Sequence, residues 1–179
     1  AEHGVATKRV ALDAAIDRTR LFTPMSHAPW SHSPGFIELT GPQRVRYNQL
    51  VALMQNEIIC FFEQEIAVRA LPAMLRDERI PQKLAHSMQQ FVEDERQHTQ
   101  MFRALNQRAE PAWYRETDYH ILRIPWAFRR VLRFITSHPA AFPMLFWIML
   151  LMEERSLMIS RRYAEMEADT VEPNFAAAY

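Results

Sequence analysis

Apolar residues recur at three- and four-residue intervals along most of this chain, and prolines cut the recurrence into blocks. Runs with that spacing predict long helices at roughly 42–75, 81–109 and 139–168, a short one at about 125–136, and the start of another at 173. Pro42, Pro81, Pro125, Pro139 and Pro173 head these blocks, where a first helical turn tolerates a residue without an N–H. Strict apolar/polar alternation is missing, so no strand is expected. Residues from about 20 to 41, which include "PMSHAPWSHSPGF", read as an irregular lead-in. The run "AAFPMLFWIMLLM" is apolar all round, too short for a bilayer, and predicts a helix enclosed by protein. The pattern as a whole predicts one all-α domain over 1–179, a bundle whose long helices need each other for burial.

The second block breaks its own pattern. Leu84, Met88, Phe91, Val92, Phe102 and Leu105 form one apolar stripe, and Glu95 and His98 stand in the middle of it. Three residues apart on a helix, they can present an oxygen and a nitrogen to one point, which is ligand geometry for a metal. A lone E-x-x-H is weak evidence, since a satisfied core histidine beside a solvated glutamate has the same spacing. Ferritin-like di-iron bundles add one glutamate from each of two other helices. The first block offers Glu63 or Glu65, which point to nearly opposite faces. Glu65 sits on the more apolar stripe, with Val51, Met54, Ile58, Phe61, Phe62 and Val68 around it. Periodicity alone selects Glu65. Glu63 has a small-residue face with Asn56, Cys60, Ala67 and Ala70, which leaves room beside a metal. In "LLMEERSLM", Glu154 is flanked at helical spacing by Leu150, Leu151, Leu157 and Met158, and Glu153 by Met149, Leu150, Ser156 and Leu157, so both stay open.

Composition narrows the classes. The charges balance to zero, which gives no electrostatic footprint for nucleic acid or a membrane surface. Three glycines, Gly4, Gly35 and Gly41, cannot build a phosphate loop. The single thiol, Cys60, lies in the apolar run "IICFF" and reads as a buried small hydrophobe in a reducing, cytoplasmic setting. The stretch "AEHGVATKRVALDAAIDRTR" has no continuous apolar segment and does not read as a signal peptide. His27 and His32, in a proline-rich segment, are expected to be surface histidines. Arg123, Arg129, Arg130 and Arg133 are expected to form a solvated face. Phe62, Phe102, Phe146 and Trp147 are loose candidates for a substrate channel.

The order Asn56-Glu57, five residues, Glu63-Gln64, one residue, Ile66, then Asp94-Glu95-x-x-His98 and a core glutamate some 55 residues on, resembles the p-aminobenzoate N-oxygenase family of ferritin-like di-iron oxygenases. The resemblance runs from about residue 20 to the C-terminus. It implies that Glu63, Glu95, His98 and Glu154 are iron ligands; the residues themselves keep Glu65 and Glu153 as alternates and offer Asp94 as an acceptor orienting the histidine. It implies two iron ions cycling between Fe2+ and Fe3+, dioxygen as co-substrate, and a small aromatic amine whose nitrogen is oxidised. An unidentified electron donor and a homodimer complete the expectation. In that family a further helix carries H-x-x-x-E-x-x-H, so the fourth ligand-bearing helix is expected to lie beyond Tyr179, and the 179 residues alone are expected to lack ligands. Two other readings share the residues: a ferritin-like iron oxidase or hydroxylase, and a metal-free helical interaction module.

Overall fold

The computed structural model describes residues 15–164 and 170–179, and everything structural below refers to these. A 3-10 turn at Met25–His27 and a short helix α1 (Pro34–Ile37) interrupt the lead-in. Helix α2 (Gly41–Phe62) passes through a π-turn (Glu63–Ala67) into α3 (Val68–Met74). The remaining helices are α4 (Gln82–Ala109), α5 (Pro111–Tyr114), α6 (Trp126–Ser137), α7 (Met144–Ala164) and α8 (Pro173–Ala178). No strand forms among the described residues, and a single parallel bridge ties Leu21 to Val171. No described helix is long and apolar enough to cross a membrane.

Two boundaries differ from the periodicity. The block expected at 139–168 opens with a 3-10 turn at Pro139–Ala141, and its α-helix begins only at Met144, because Pro143 removes an N–H inside the pattern. The last residues of that block, 165–168, lie outside the described residues. The block expected as one helix at 42–75 is broken by the π-turn, which apolar spacing cannot reveal. At the head of α2, the Gln43 side-chain oxygen accepts from the Thr40 backbone N–H at 2.9 Å, and Pro42 occupies the first turn.

Pairwise contacts give the helix directions. Asn56 meets Asn106 and Glu63 meets Thr99, so α4 runs antiparallel to α2. One cavity joins Met88 and Phe91 to Phe146 and Met149, and another joins His98 to Ser156, so α7 runs parallel to α4. Residues 110–143, with α5 and α6, are the long crossover this requires. Helix α8 leads from Phe175, stacked on Phe22 at 4.0 Å, to Tyr179, whose hydroxyl donates to Asn56 Oδ1 at 2.6 Å, so it follows the direction of α2. The order is up, down, down, up.

Two apolar clusters fill the interior. One gathers Phe22, Leu53, Leu105, Tyr163 and Phe175, and the other Phe62, Ile66, Leu71, Val92 and Met149. Between them lies a layer of buried polar side chains: Asn56, Glu57, Glu63, Glu95, Thr99 and Asn106. Buried polar groups are costly unless partnered, and these are. Asn56 Nδ2 donates to Asn106 Oδ1 at 2.8 Å, and Asn106 Nδ2 to the Leu53 carbonyl at 3.2 Å. Glu57 is fully enclosed and accepts from the Tyr114 hydroxyl at 2.7 Å and from the His120, Ile121 and Leu122 backbone N–H groups. It pins the crossover to α2.

Candidate metal centre

The polar layer converges on three side chains. Glu63 comes from the π-turn, Glu95 and His98 from the middle of α4, and one ligand atom from each lies within 4.8 Å of the other two. Both glutamates are buried, and His98 is half-buried at the rim. The closest approach of His98 Nδ1 to Glu95 Oε1 is 4.0 Å, too long for a hydrogen bond, so the imidazole is not committed to its neighbour.

Glu63 and Glu95 hydrogen-bond to each other. Burial pushes the Glu63 carboxyl up to about 9, with the negative charges of Glu95 and Glu153 adding to it and the Thr99 hydroxyl opposing. Burial also raises Glu95, to about 7, with help from Glu153 and Asp94. Two carboxyls this close do not both ionise readily, so the pair holds a proton in common. Burial lowers His98 from its usual value, against the pull of Asp94. Its neutral form, the one that binds metals, is therefore favoured at neutral pH. Thr99 Oγ1 donates to Glu63 Oε2 at 2.7 Å and fixes one face of that carboxyl.

A cavity of about 70 Å³ lies at this point, bounded by Glu63, Glu95, His98 and, from α7, Met152, Glu153 and Ser156. Glu153 is the third-helix acid in the wall, and burial raises its carboxyl too. Glu154 is exposed. Leu145, Met149 and Glu153 form the stripe by which α7 docks, four residues apart, and Glu154 is one step round from it. The leucines and methionine that favoured Glu154 in the sequence are themselves exposed: Leu151 by 67% and Met158 by 53%. Of the two acids the sequence left open, the fold turns Glu153 toward the cluster and Glu154 to the surface, a choice that the apolar run ahead of them could not indicate.

Glu65 is buried but faces away from the cluster. Its carboxylate receives Arg69 Nε at 2.9 Å and Arg133 Nε at 3.4 Å, with Arg129 Nε at 3.9 Å. Arg129 and Arg133, expected on a solvated face, both pair with this glutamate, Arg129 half-buried and Arg133 still exposed like Arg123 and Arg130. Asp94 is half-buried and acts on His98 through its charge. His27 departs from its expected surface place: its ring meets Tyr163 edge-on at 5.8 Å, while His32 is exposed. Of the channel candidates, Phe62 lines the metal-site cavity and Phe146 a neighbouring one, while Phe102 packs on Tyr179 and Trp147 is 60% exposed. Cys60 is buried, as expected. Sequence reasoning missed Thr99 and Asn106. Their signal was present, since the polar residues at positions 95, 99 and 106 share the face of α4 toward α2.

First-row cations bind carboxylate oxygens and imidazole nitrogens at about 2.0–2.2 Å, so donors around one ion lie about 3–4 Å apart. The observed cluster needs only a small contraction to meet this. Two carboxyls sharing a proton, a neutral imidazole and a third acid in the wall suit a divalent cation, which can replace that proton. Three carboxylates and one imidazole fill the coordination of one ion more readily than of two, so a second ion calls for further donors.

Comparison of the chain with protein-family models, with curated proteins and with solved structures gives no match. What the cluster is for has to come from its own chemistry.

Proposed function

We propose that this chain supplies Glu63, Glu95, His98 and Glu153 to a ferritin-like di-iron oxygenase centre that oxidises the nitrogen of a small aromatic amine, the second ion drawing on further donors. The observation that carries the reading is the meeting of Glu63, Glu95 and His98 in a buried polar layer between two apolar clusters. The up, down, down, up order with one long crossover is the connectivity of ferritin-like bundles, and the oxygen-rich donor set suits iron. The sequence resemblance adds the amine.

Iron bound here would supply the electrons that reduce dioxygen. The chain's own part begins with the proton shared by Glu63 and Glu95, which leaves when a cation takes its place. Thr99 then holds Glu63 by its second oxygen, and His98 supplies a neutral nitrogen from the open rim. Next to the centre, a cavity of about 280 Å³ is walled by Leu71, Met88, Phe91, Met149 and Leu150 and ends at Glu153. An enclosed apolar space of about 150 Å³ suffices for benzene. The larger one here suits a single substituted ring, with Glu153 able to accept from its amino group. Its apolar walls pack against the faces of the ring, while its mouth stays open to solvent.

The test is anaerobic loading with ferrous iron, followed by oxygen with and without aniline. The expected result is bound iron in the wild-type chain and none in Glu63→Ala, with an N-oxidised product from aniline once the further donors that a second ion calls for are also supplied. Iron binding and oxygen uptake with aniline left unchanged would favour an iron oxidase or hydroxylase. Unaltered thermal stability on adding and chelating iron would favour a metal-free helical module.

A further inference from the structure

The π-turn is the irregular part of an otherwise regular helix, and nothing local explains it. Its five residues, "EQEIA", include strong helix formers and neither glycine nor proline. The Val68 N–H bonds to the Glu63 carbonyl, five residues back, so one residue more than an α-turn holds is enclosed. Such wide turns are rare and persist where tertiary contacts compensate them, frequently at functional sites. Among the described residues, the ion pairs on this turn are all made by Glu65. Arg69 comes from α3, just past the turn, and Arg129 and Arg133 come from α6, one helical turn apart. Arg129 is itself braced, with its guanidinium 5.7 Å from the ring centre of Tyr119, which meets Phe61 edge-on. On the opposite side of the same turn, Glu63 reaches Thr99 and Glu95.

We propose that Glu65 is the positioning residue of the metal centre: its carboxylate, gripped by Arg69, Arg129 and Arg133, holds the Glu63–Ala67 π-turn open and thereby keeps Glu63 aimed at Glu95 and His98. This rests on the metal-centre reading for its purpose, but not for its mechanics. Residues two apart project to opposite sides of a helix, so a pull on Glu65 toward α6 seats Glu63 toward α4. The same contact gives α6 a task. A crossover helix with no residue in the centre sets the direction of one ligand. An uncompensated Glu65 would leave the turn free to relax to a regular α-helix, rotating one flank against the other by about a quarter turn.

The experiment uses the full chain as the parent, Glu65→Gln, Arg133→Gln and Arg133→Lys, with two measurements. Amide hydrogen exchange on the metal-free protein is expected to rise at least tenfold over residues 64–68 in Glu65→Gln, and less in Arg133→Gln, with residues 99–106 of α4 unchanged. Cobalt(II) titration is expected to show at least tenfold weaker binding and an altered visible spectrum in both glutamine variants, with Arg133→Lys close to the parent. Exchange over 64–68 within twofold of the parent in Glu65→Gln would overturn the proposal. So would a rise confined to α6 with an unchanged cobalt spectrum, the signature of a residue that merely anchors that helix. If Glu65→Gln does not fold, Arg133→Gln decides on the same two readings. A parent that binds no cobalt sinks the metal-centre reading, and hydrogen exchange alone then judges the grip on the turn.

Discussion

Glu63 and Glu65 are two residues apart, both buried and chemically identical, and they have opposite employment. What separates them is partners: an acid that shares a proton with another acid is poised to lose it to a cation, and an acid ringed by guanidinium groups is not. The first kind has a consequence for stability. The folded-state values of Glu63 and Glu95 are raised, to about 9 and about 7, above an unfolded glutamate near 4.3. Folding therefore favours their protonated forms. Their contribution is fully present below about pH 4.3 and is lost as pH rises through the folded values. Metal-free protein is expected to melt at falling temperature from about pH 5 to pH 9, followed by circular dichroism, and Glu63→Gln should flatten that slope. Divalent metal should reverse it, since a cation replaces the proton. A parent whose melting temperature rises over this range without metal would contradict the assignment of the shared proton. At the same scale, Glu153→Ala is expected to weaken metal binding by at least tenfold and Glu154→Ala to leave it unchanged, by calorimetric titration.

At the scale of elements, the helices headed by Pro42, Pro81, Pro125 and Pro173 were legible, the one after Pro81 most clearly, because α4 is half-exposed and its apolar stripe stands out against polar neighbours. The other two ligand-bearing elements were not. The first half of α7, residues 144–152, is apolar on every side, so its buried stripe carries no contrast and Glu153 could not be told from Glu154. In α2 the π-turn shifts the phase of the helix just where the ligand stands, and a fixed helical period run through it places Glu65 on an apolar face that in the fold belongs to arginines. Glu57 was visible only as part of a motif, and its task depends on a loop some 60 residues away. Four donors on that crossover bond to its carboxylate, so Glu57→Ala should destabilise the protein by about 3 kcal/mol in urea unfolding, at about 1 kcal/mol or less for each hydrogen bond removed. Unfolding at an unchanged midpoint would show the loop to be held by something else.

Over the whole molecule, apolar surface is distributed unevenly. Trp126, Phe128, Val131 and Phe134 of α6, and Met144, Trp147, Leu151, Leu157 and Met158 of α7, are more than half exposed. Exposed apolar area on this scale marks a surface that meets something else. Self-association that grows with concentration is the expected outcome in sedimentation velocity, and the pair Trp147→Glu with Leu151→Glu should reduce it while leaving cobalt binding within twofold of the parent. A chain that stays monomeric at millimolar concentration would remove the case for a homodimer.

The wide turn at Glu63–Ala67 can also be read as a matter of heredity. A π-turn encloses one residue more than an α-turn, which is the length of one codon. Deleting a codon there would leave a more regular helix and so, by local propensity, a better one. The same deletion would swing Ala70 and Leu71 out of the apolar cluster they now help to fill. Selection acting on helix stability alone would discard the extra residue, whereas selection acting on where Glu63 points would keep it, so a library of single-codon deletions across α2 and α3 should be depleted most sharply at these five positions.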